Sequence, residues 1–300
     1  MPSGIIDIHP HIVSKDSERY PITPLEGKRS DWSQKRSVDL GEMVDAMDEA
    51  GVGKAALVHS STTYGYDCSY VADSVAREPE RFTGVFSVNM MAADAAEKIR
   101  YWTTRKKLGG LRLYTAGGTH QTQADWLSDP KTFPGLECAR DLDLPVCISM
   151  KPAGIPQLLT LLRQFPAIRF VIDHMMEPPI LEGAPYGGSQ FLFDLAVFDN
   201  VYLKMTTLNI RNSRKGNGSP EVFFPLLVSK FGASRIAWGS NYPSAQGSLK
   251  EMVDEARSAL ACLASDDRES IFSGTALSLY PVLADGHRAF SPELASAQKN

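Results

Sequence analysis

Residues 5–12 read Ile5-Ile6-Asp7-Ile8-His9-Pro10-His11-Ile12. An apolar run that ends in two histidines, two residues apart, reads as a buried strand with a polar tip. Side chains of a strand alternate between faces, so His9 and His11 are expected on one side, one pleat apart. Two imidazoles so placed can share a metal ion, or hold one oxyanion or water between them. The plainer reading of such a pair is that both rings hydrogen-bond to nearby loops. The rest of the chain decides between these readings.

Seven further apolar runs follow, at 54–61, 82–89, 110–114, 145–150, 168–174, 201–205 and 235–240. Helical patterns separate them, over 37–49, 69–76, 93–107, 134–142, 155–165, 190–198 and 221–231, and two more close the chain at 249–263 and 266–279. The first helix shows the logic: Leu40, Met43, Val44 and Met47 recur at helical spacing and Gly51 stops it. Nearly continuous apolar strands mark a parallel sheet covered on both faces. Eight strand–helix units over about 280 residues predict an α/β fold, a closed (β/α)8 TIM barrel. No G-x-G-x-x-G follows the first strand, which argues against a doubly wound dinucleotide-binding sheet. The expected layout is one barrel domain over 1–285 and a C-terminal tail over 286–300. Loops 14–36, 115–133, 175–189 and 209–220 are long and polar, and long loops in compact domains often carry function.

Bulk properties narrow the partners. A net charge of −4 without a basic stripe argues against nucleic acid. No apolar run reaches the ~18 residues that suggest a membrane span, and the N-terminus shows no signal-peptide pattern. Cys68, Cys138, Cys147 and Cys262 are far apart and form no CxxC. Neither a disulfide framework nor a structural zinc site is indicated, so a reducing, cytoplasmic setting is expected. A homo-oligomer is left open.

A barrel of this kind places its site at the C-terminal ends of its strands. Those ends carry His9 and His11, His59, Arg112 and Tyr114, Ser149 and Lys151, His174, Lys204, and Asn241. Four of the six histidines fall there; only His120 and His287 do not. Lys204 has two readings, a site residue or a buried barrel lysine with a carboxylate partner. If Arg112, Lys151 and Arg211 ring the mouth, the substrate is a small anionic organic molecule, because a guanidinium can hold a carboxylate bidentately.

Several segments, taken in order, resemble one family. Asp7-Ile8-His9-Pro10-His11 matches a D-x-H-x-H opening, and Tyr64-Gly65-Tyr66-Asp67 a turn after strand two. Gly110-Leu111-Arg112-Leu113 is similar to a strand-four motif, and Ile172-Asp173-His174 to the strand-six histidine. Trp238-Gly239-Ser240-Asn241-Tyr242-Pro243 matches the strand-eight G-S-D-[YW]-P with one change, and 271–280 resembles the terminal helix. The chain thus resembles the amidohydrolase superfamily, in its amidohydrolase-2 branch. That branch includes 2-pyrone-4,6-dicarboxylate lactonase and other lactone hydrolases, with aromatic decarboxylases at a greater distance.

The resemblance implies a TIM-barrel hydrolase of a small carboxylated lactone, or a related cyclic ester or amide. His9, His11, His174 and Asn241 would be catalytic, the histidines polarising the carbonyl that water attacks. Arg112, Tyr114, His59, Lys151, Arg211 and Tyr64 would bind substrate. Two departures bear on cofactors. The strand-five histidine of the family is Ser149 here, with no strand-four lysine, so a binuclear metal site is not expected. The strand-eight aspartate is Asn241, and an amide cannot take a proton at neutral pH. The expectation is therefore no cofactor, or one divalent metal (zinc or manganese) on His9, His11 and His174. The alternatives are a metal-dependent decarboxylase or hydratase of an aromatic acid or ring-fission product, or a catalytically impaired form owing to Asn241.

Overall fold

The computed structural model describes residues 4–115, 119 and 126–284. Eight parallel strands run in sequence order: β1 Ile5–Asp7, β2 Val52–Val58, β3 Phe82–Phe86, β4 Gly110–Tyr114, β5 Val146–Ser149, β6 Phe170–Asp173, β7 Val201–Thr206 and β8 Ile236–Gly239. Each pairs with its neighbour in parallel register, for example Arg112 with Cys147 and Asp173 with Lys204. The gap between β8 and β1 is bridged by the Ile8 amide donating to the Trp238 carbonyl (3.3 Å) and the Ser240 amide donating to Asp7 Oδ1 (2.8 Å). The chain is a TIM barrel.

Strand periodicity divides the apolar residues into two cores. Ala55 and Leu57 of β2 join the large outer core under the helices, while the alternate residues Ala56 and Val58 join a small inner one. That inner cluster holds Ile6, Ile8, Val85, Cys147, Val171 and Ala237. Ala276, Leu279, Tyr280 and Leu283, from the end of the described chain, join it. With this end filled by aliphatic and aromatic side chains, polar groups are left to gather towards the C-terminal strand ends.

Three elements differ from the sequence expectation. Pairing of β1 stops at Asp7 and the chain bends at Ile8, so His9 and His11 sit on coil. Pro10 has no amide hydrogen for a ladder, and the His9 amide donates instead to Asp7 Oδ1 (2.9 Å). The segment read as a loop from 209 onwards begins as a helix, Thr207–Asn212, because Thr206 and Asn209 close a capping box. Four consecutive residues after β6, His174 to Glu177, all have φ between 53° and 58°. Such left-handed backbone costs roughly 1–2 kcal/mol per non-glycine residue, so other contacts must hold it. No helix among the described residues is long and apolar enough to cross a membrane. The expected tail and most of the loop after β4 lie outside the described residues.

Candidate active site

A cavity of about 100 Å³ opens at the C-terminal strand ends. His9, His11, His59, Arg112, His174 and Asn241 all line it. His9 lies between the other two rings of the trio, 4.9 Å from both His11 and His174 between centroids. Asn241 adopts φ 60°, a conformation that asparagine tolerates better than most residues. Gly239 lets the first segment pass: a Cβ there would stand 2.6 Å from His9 Cβ and 3.1 Å from its amide nitrogen.

Hydrogen bonds define the state of three rings. His11 Nδ1 faces the Val58 carbonyl at 2.8 Å, and His59 Nε2 the Gly65 carbonyl at 2.9 Å. A carbonyl only accepts, so those nitrogens carry hydrogen. His174 Nδ1 lies 2.8 Å from Thr206 Oγ1. Neither nitrogen of His9 has a hydrogen-bond partner among the described residues, and its Nδ1 is 3.8 Å from Asp173 Oδ1. Burial pushes all four rings below their ordinary pKa: His11 to about 3, His59 and His174 to about 4, and His9 well below 6.5. Lys204 and Arg112 add to this for His9, His11 and His174. All four are therefore neutral at pH 7.

Beneath the histidines lies a buried charge cluster. Asp173 accepts from Arg112 Nε (2.6 Å) and is ion-paired to Lys204 Nζ (2.8 Å), with both the aspartate and lysine side chains fully shielded from solvent. Burial alone would raise the Asp173 pKa, but Lys204 and Arg112 outweigh it and hold the carboxyl well below its usual range. Arg112 and Lys204 share Asp173 as their direct counter-ion, and Asp7, a second buried carboxylate, feels the charge of Lys204. The guanidinium also stacks on Tyr114 (4.8 Å) and makes long contacts to the Tyr114 hydroxyl (3.5 Å) and Thr119 Oγ1 (3.4 Å). Of the two readings of Lys204, the structure shows the buried lysine with a carboxylate partner.

Other residues singled out in the sequence fall elsewhere. Lys151 pairs with Glu177 (2.5 Å) and Arg211 with Glu255 (2.8 Å), and neither lines the cavity. The ring of three cations is thus reduced to Arg112: the other two are already neutralised by carboxylates on adjoining segments. Tyr64 accepts from the Ser14 amide (2.8 Å) with its ring 6.4 Å from His59, and Tyr114 is packed beneath Arg112. Ser149 meets Thr119 (2.8 Å between hydroxyl oxygens). Trp32, Ser60, Ser61, Thr62, Thr119 and Ser244 line the cavity without having been singled out. Trp32 sits on the short helix Asp31–Lys35 in the long loop after β1, its ring 5.2 Å from that of His11. A tryptophan in an overlong polar loop was the available signal. For Asp173, the signal was an aspartate inside an apolar strand.

The donor set does not suit a divalent metal. Among the described residues no group of three or more His, Cys, Asp or Glu side chains is placed to hold an ion. Ser149 and Asn241 supply no imidazole or carboxylate, and Arg112 and Lys204 repel a dication.

The amidohydrolase profile (Amidohydro_2) matches residues 6–282. The chain belongs to the amidohydrolase family. L-fucono-1,5-lactonase of Burkholderia ambifaria is 26% identical over 242 residues, 79% of this chain and 80% of that protein. 4-Sulfomuconolactone hydrolase of Rhizobium radiobacter is 25% identical over 263 residues, 85% and 81% of the two chains. The solved structure of a candidate 2-pyrone-4,6-dicarboxylic acid hydrolase from Pseudomonas putida superposes with TM-score 0.74 at 22% identity, covering 94% of this chain and 99% of that one. Dihydroxybenzoate decarboxylases share the fold at 17% and 14% identity. The protein is an amidohydrolase-family hydrolase, similar to lactonases.

The neutral histidines make a prediction for stability. In the unfolded chain they ionise near pH 6.5 and aspartate near 3.9. As pH falls below 6.5, the unfolded chain takes up four protons that His9, His11, His59 and His174 refuse in the fold, so stability falls. Asp7 acts in the opposite sense. Burial raises its pKa to about 6, so its cost at neutral pH is relieved as pH drops from about 6 to 4. The net of three protons corresponds to at most about 4 kcal/mol per pH unit between pH 6 and 4. The urea midpoint is expected to drop steeply from pH 6.5 to 4.5. A flat profile would mean that the rings are charged in the fold.

Proposed function

We propose that this amidohydrolase opens small lactones that carry one carboxylate. The observation that carries the reading is Arg112: its guanidinium lines the cavity, and its terminal N–H groups make only long contacts among the described residues. A single guanidinium at the cavity can pair with one carboxylate, not two. The lactonase relatives support the reaction type.

The neutral histidines suggest roles different from carbonyl polarisation. An imidazole whose Nδ1 hydrogen is already donated offers a lone pair at Nε2, which accepts a proton rather than giving one. In this reading His174 is the general base, and Asn241 orients the attacking water by hydrogen bonding. Arg112 N–H groups hold the substrate carboxylate or the oxyanion that forms. Water adds to the carbonyl carbon and its proton passes to His174 Nε2. The ring C–O bond then breaks and His174 returns that proton to the leaving alkoxide, giving the hydroxy acid. Decarboxylation has less support here, since the strand-eight carboxylate is an amide and the donor set does not suit a metal.

The test is a panel of five- and six-membered lactones bearing no, one or two carboxylates, assayed with the native chain and Asn241→Asp. The native chain is expected to give its highest kcat/KM on the monocarboxylates. Asn241→Asp brings a negative charge beside the site and is expected to shift preference at least about tenfold towards neutral lactones, a change of ~1.4 kcal/mol in relative binding. Equal turnover of all three classes by the native chain would rule out the charge argument, and absence of ring opening throughout would rule out the lactonase reading.

A further inference from the structure

We propose that Thr206 and Asn209, a helix-capping pair, are positioning residues that fix the tautomer of His174 and aim its lone pair into the cavity. The inference deepens the lactonase reading and rests on it for the role of His174, but the geometry behind it is independent of substrate.

The direction of every hydrogen bond in this cluster follows from two backbone groups. Asn209 Oδ1 lies 2.9 Å from the Thr206 amide nitrogen, which can only donate. Asn209 Nδ2 lies 2.9 Å from the His174 carbonyl oxygen, which can only accept. The amide therefore has one orientation, since a flip would set NH2 against N–H and oxygen against oxygen. With Oδ1 fixed, the Thr206 hydroxyl 3.2 Å away donates to it. That hydroxyl has then spent its only hydrogen and can offer His174 Nδ1, at 2.8 Å, nothing but a lone pair. Hydrogen must sit on Nδ1, and the lone pair on Nε2.

The cluster is buried: Thr206 and Asn209 are fully shielded from solvent. His174 itself is partly exposed at the cavity, and the partner the fold provides for its Nδ1 is the shielded Thr206 hydroxyl. The same asparagine also grips the carbonyl of His174 at the start of the left-handed turn, so one side chain secures both the backbone and, through Thr206, the ring. His11 is set in the same tautomer by a main-chain carbonyl that no substitution removes. His174 is the ring whose state is written in side chains, and so the one that can be changed by mutation.

Thr206→Val keeps the size and β-branching but removes the acceptor. The Nδ1–H then loses its acceptor, and the ring is expected to move to the Nε2–H tautomer, whose Nε2 has no lone pair to take a proton. Thr206→Ser keeps the hydroxyl. The experiment is a long-range 15N–1H correlation spectrum of the full chain with labelled histidine, alongside steady-state kinetics on the best lactone. His174 is expected as the Nδ1–H tautomer in the native protein and in Thr206→Ser, and as Nε2–H or a mixture in Thr206→Val. In kinetics, Thr206→Val is expected to lose about 10- to 100-fold in kcat with KM changed less than about twofold, and Thr206→Ser to restore most of it. An Nε2–H signal from His174 in the native protein overturns the proposal, and so does an unchanged Nδ1–H signal in a folded Thr206→Val. If that variant does not fold, the native and Thr206→Ser spectra decide. A native protein with the Nδ1–H tautomer and no lactone turnover would sink the lactonase reading while leaving the clamp intact.

Discussion

Asp173→Asn is expected to destabilise the protein by about 3–5 kcal/mol, the largest stability effect of any single isosteric change at the site. The carboxylate faces Arg112 Nε at 2.6 Å and Lys204 Nζ at 2.8 Å in a region without solvent. An asparagine has nearly the same volume, so packing is preserved. It has no charge, so two buried cations lose their counter-ion, and its NH2 group must face one of them. The cost is that of leaving charges buried and unpaired, which exceeds what the intact pairs contribute. Urea unfolding at pH 7 measures it. Adding Lys204→Met to Asp173→Asn removes one orphaned charge and is expected to recover part of the loss. A single variant as stable as the native chain, to within about 0.5 kcal/mol, would show that Asp173 does not hold the cluster together.

His174→Gln is expected to lower kcat for lactone opening by about 10²- to 10⁴-fold, the range a positioned general base supplies. Glutamine keeps a side-chain donor and acceptor, but it cannot take a proton at neutral pH. Arg112 is untouched, so KM is expected to change little, and the loss falls on the chemical step. His11 serves as the comparison. It has the same tautomer but stacks near Trp32 at the cavity wall, so His11→Gln is expected to raise KM more than it lowers kcat. If the two variants prove interchangeable in their effects, the proton does not go to His174 alone, and the division of roles fails.

How much of this was legible beforehand depends on the distance over which a feature is determined. The barrel was legible because it rests on local regularities. Eight apolar runs alternate with helical patterns, and that alternation admits few topologies. The gathering of His9, His11, His59, Arg112, His174 and Asn241 followed, because strand ends of a barrel converge whatever the loops do. Even so, His9 and His11 meet by a route the period-two rule did not describe. Pro10 and the Asp7 carboxylate end β1 early, and the rings converge from coil. The long loop after β1 was legible as too long, but which of its residues reached the cavity was not.

The sequence by itself determined the fold class, the strand ends at which chemistry collects, and the replacement of a carboxylate by Asn241. Each is set by residue identity and short-range spacing. Only the tertiary structure decided which cations are available and which nitrogen of each histidine carries hydrogen. Lys151 and Arg211 read like Arg112 along the chain, yet Glu177 and Glu255 neutralise them while the Arg112 guanidinium lines the cavity. His174 owes its tautomer to Thr206 and Asn209, more than thirty residues away. Coulomb energy and hydrogen-bond direction depend on separations of a few ångströms, and residues distant in sequence set those separations only once the barrel has closed.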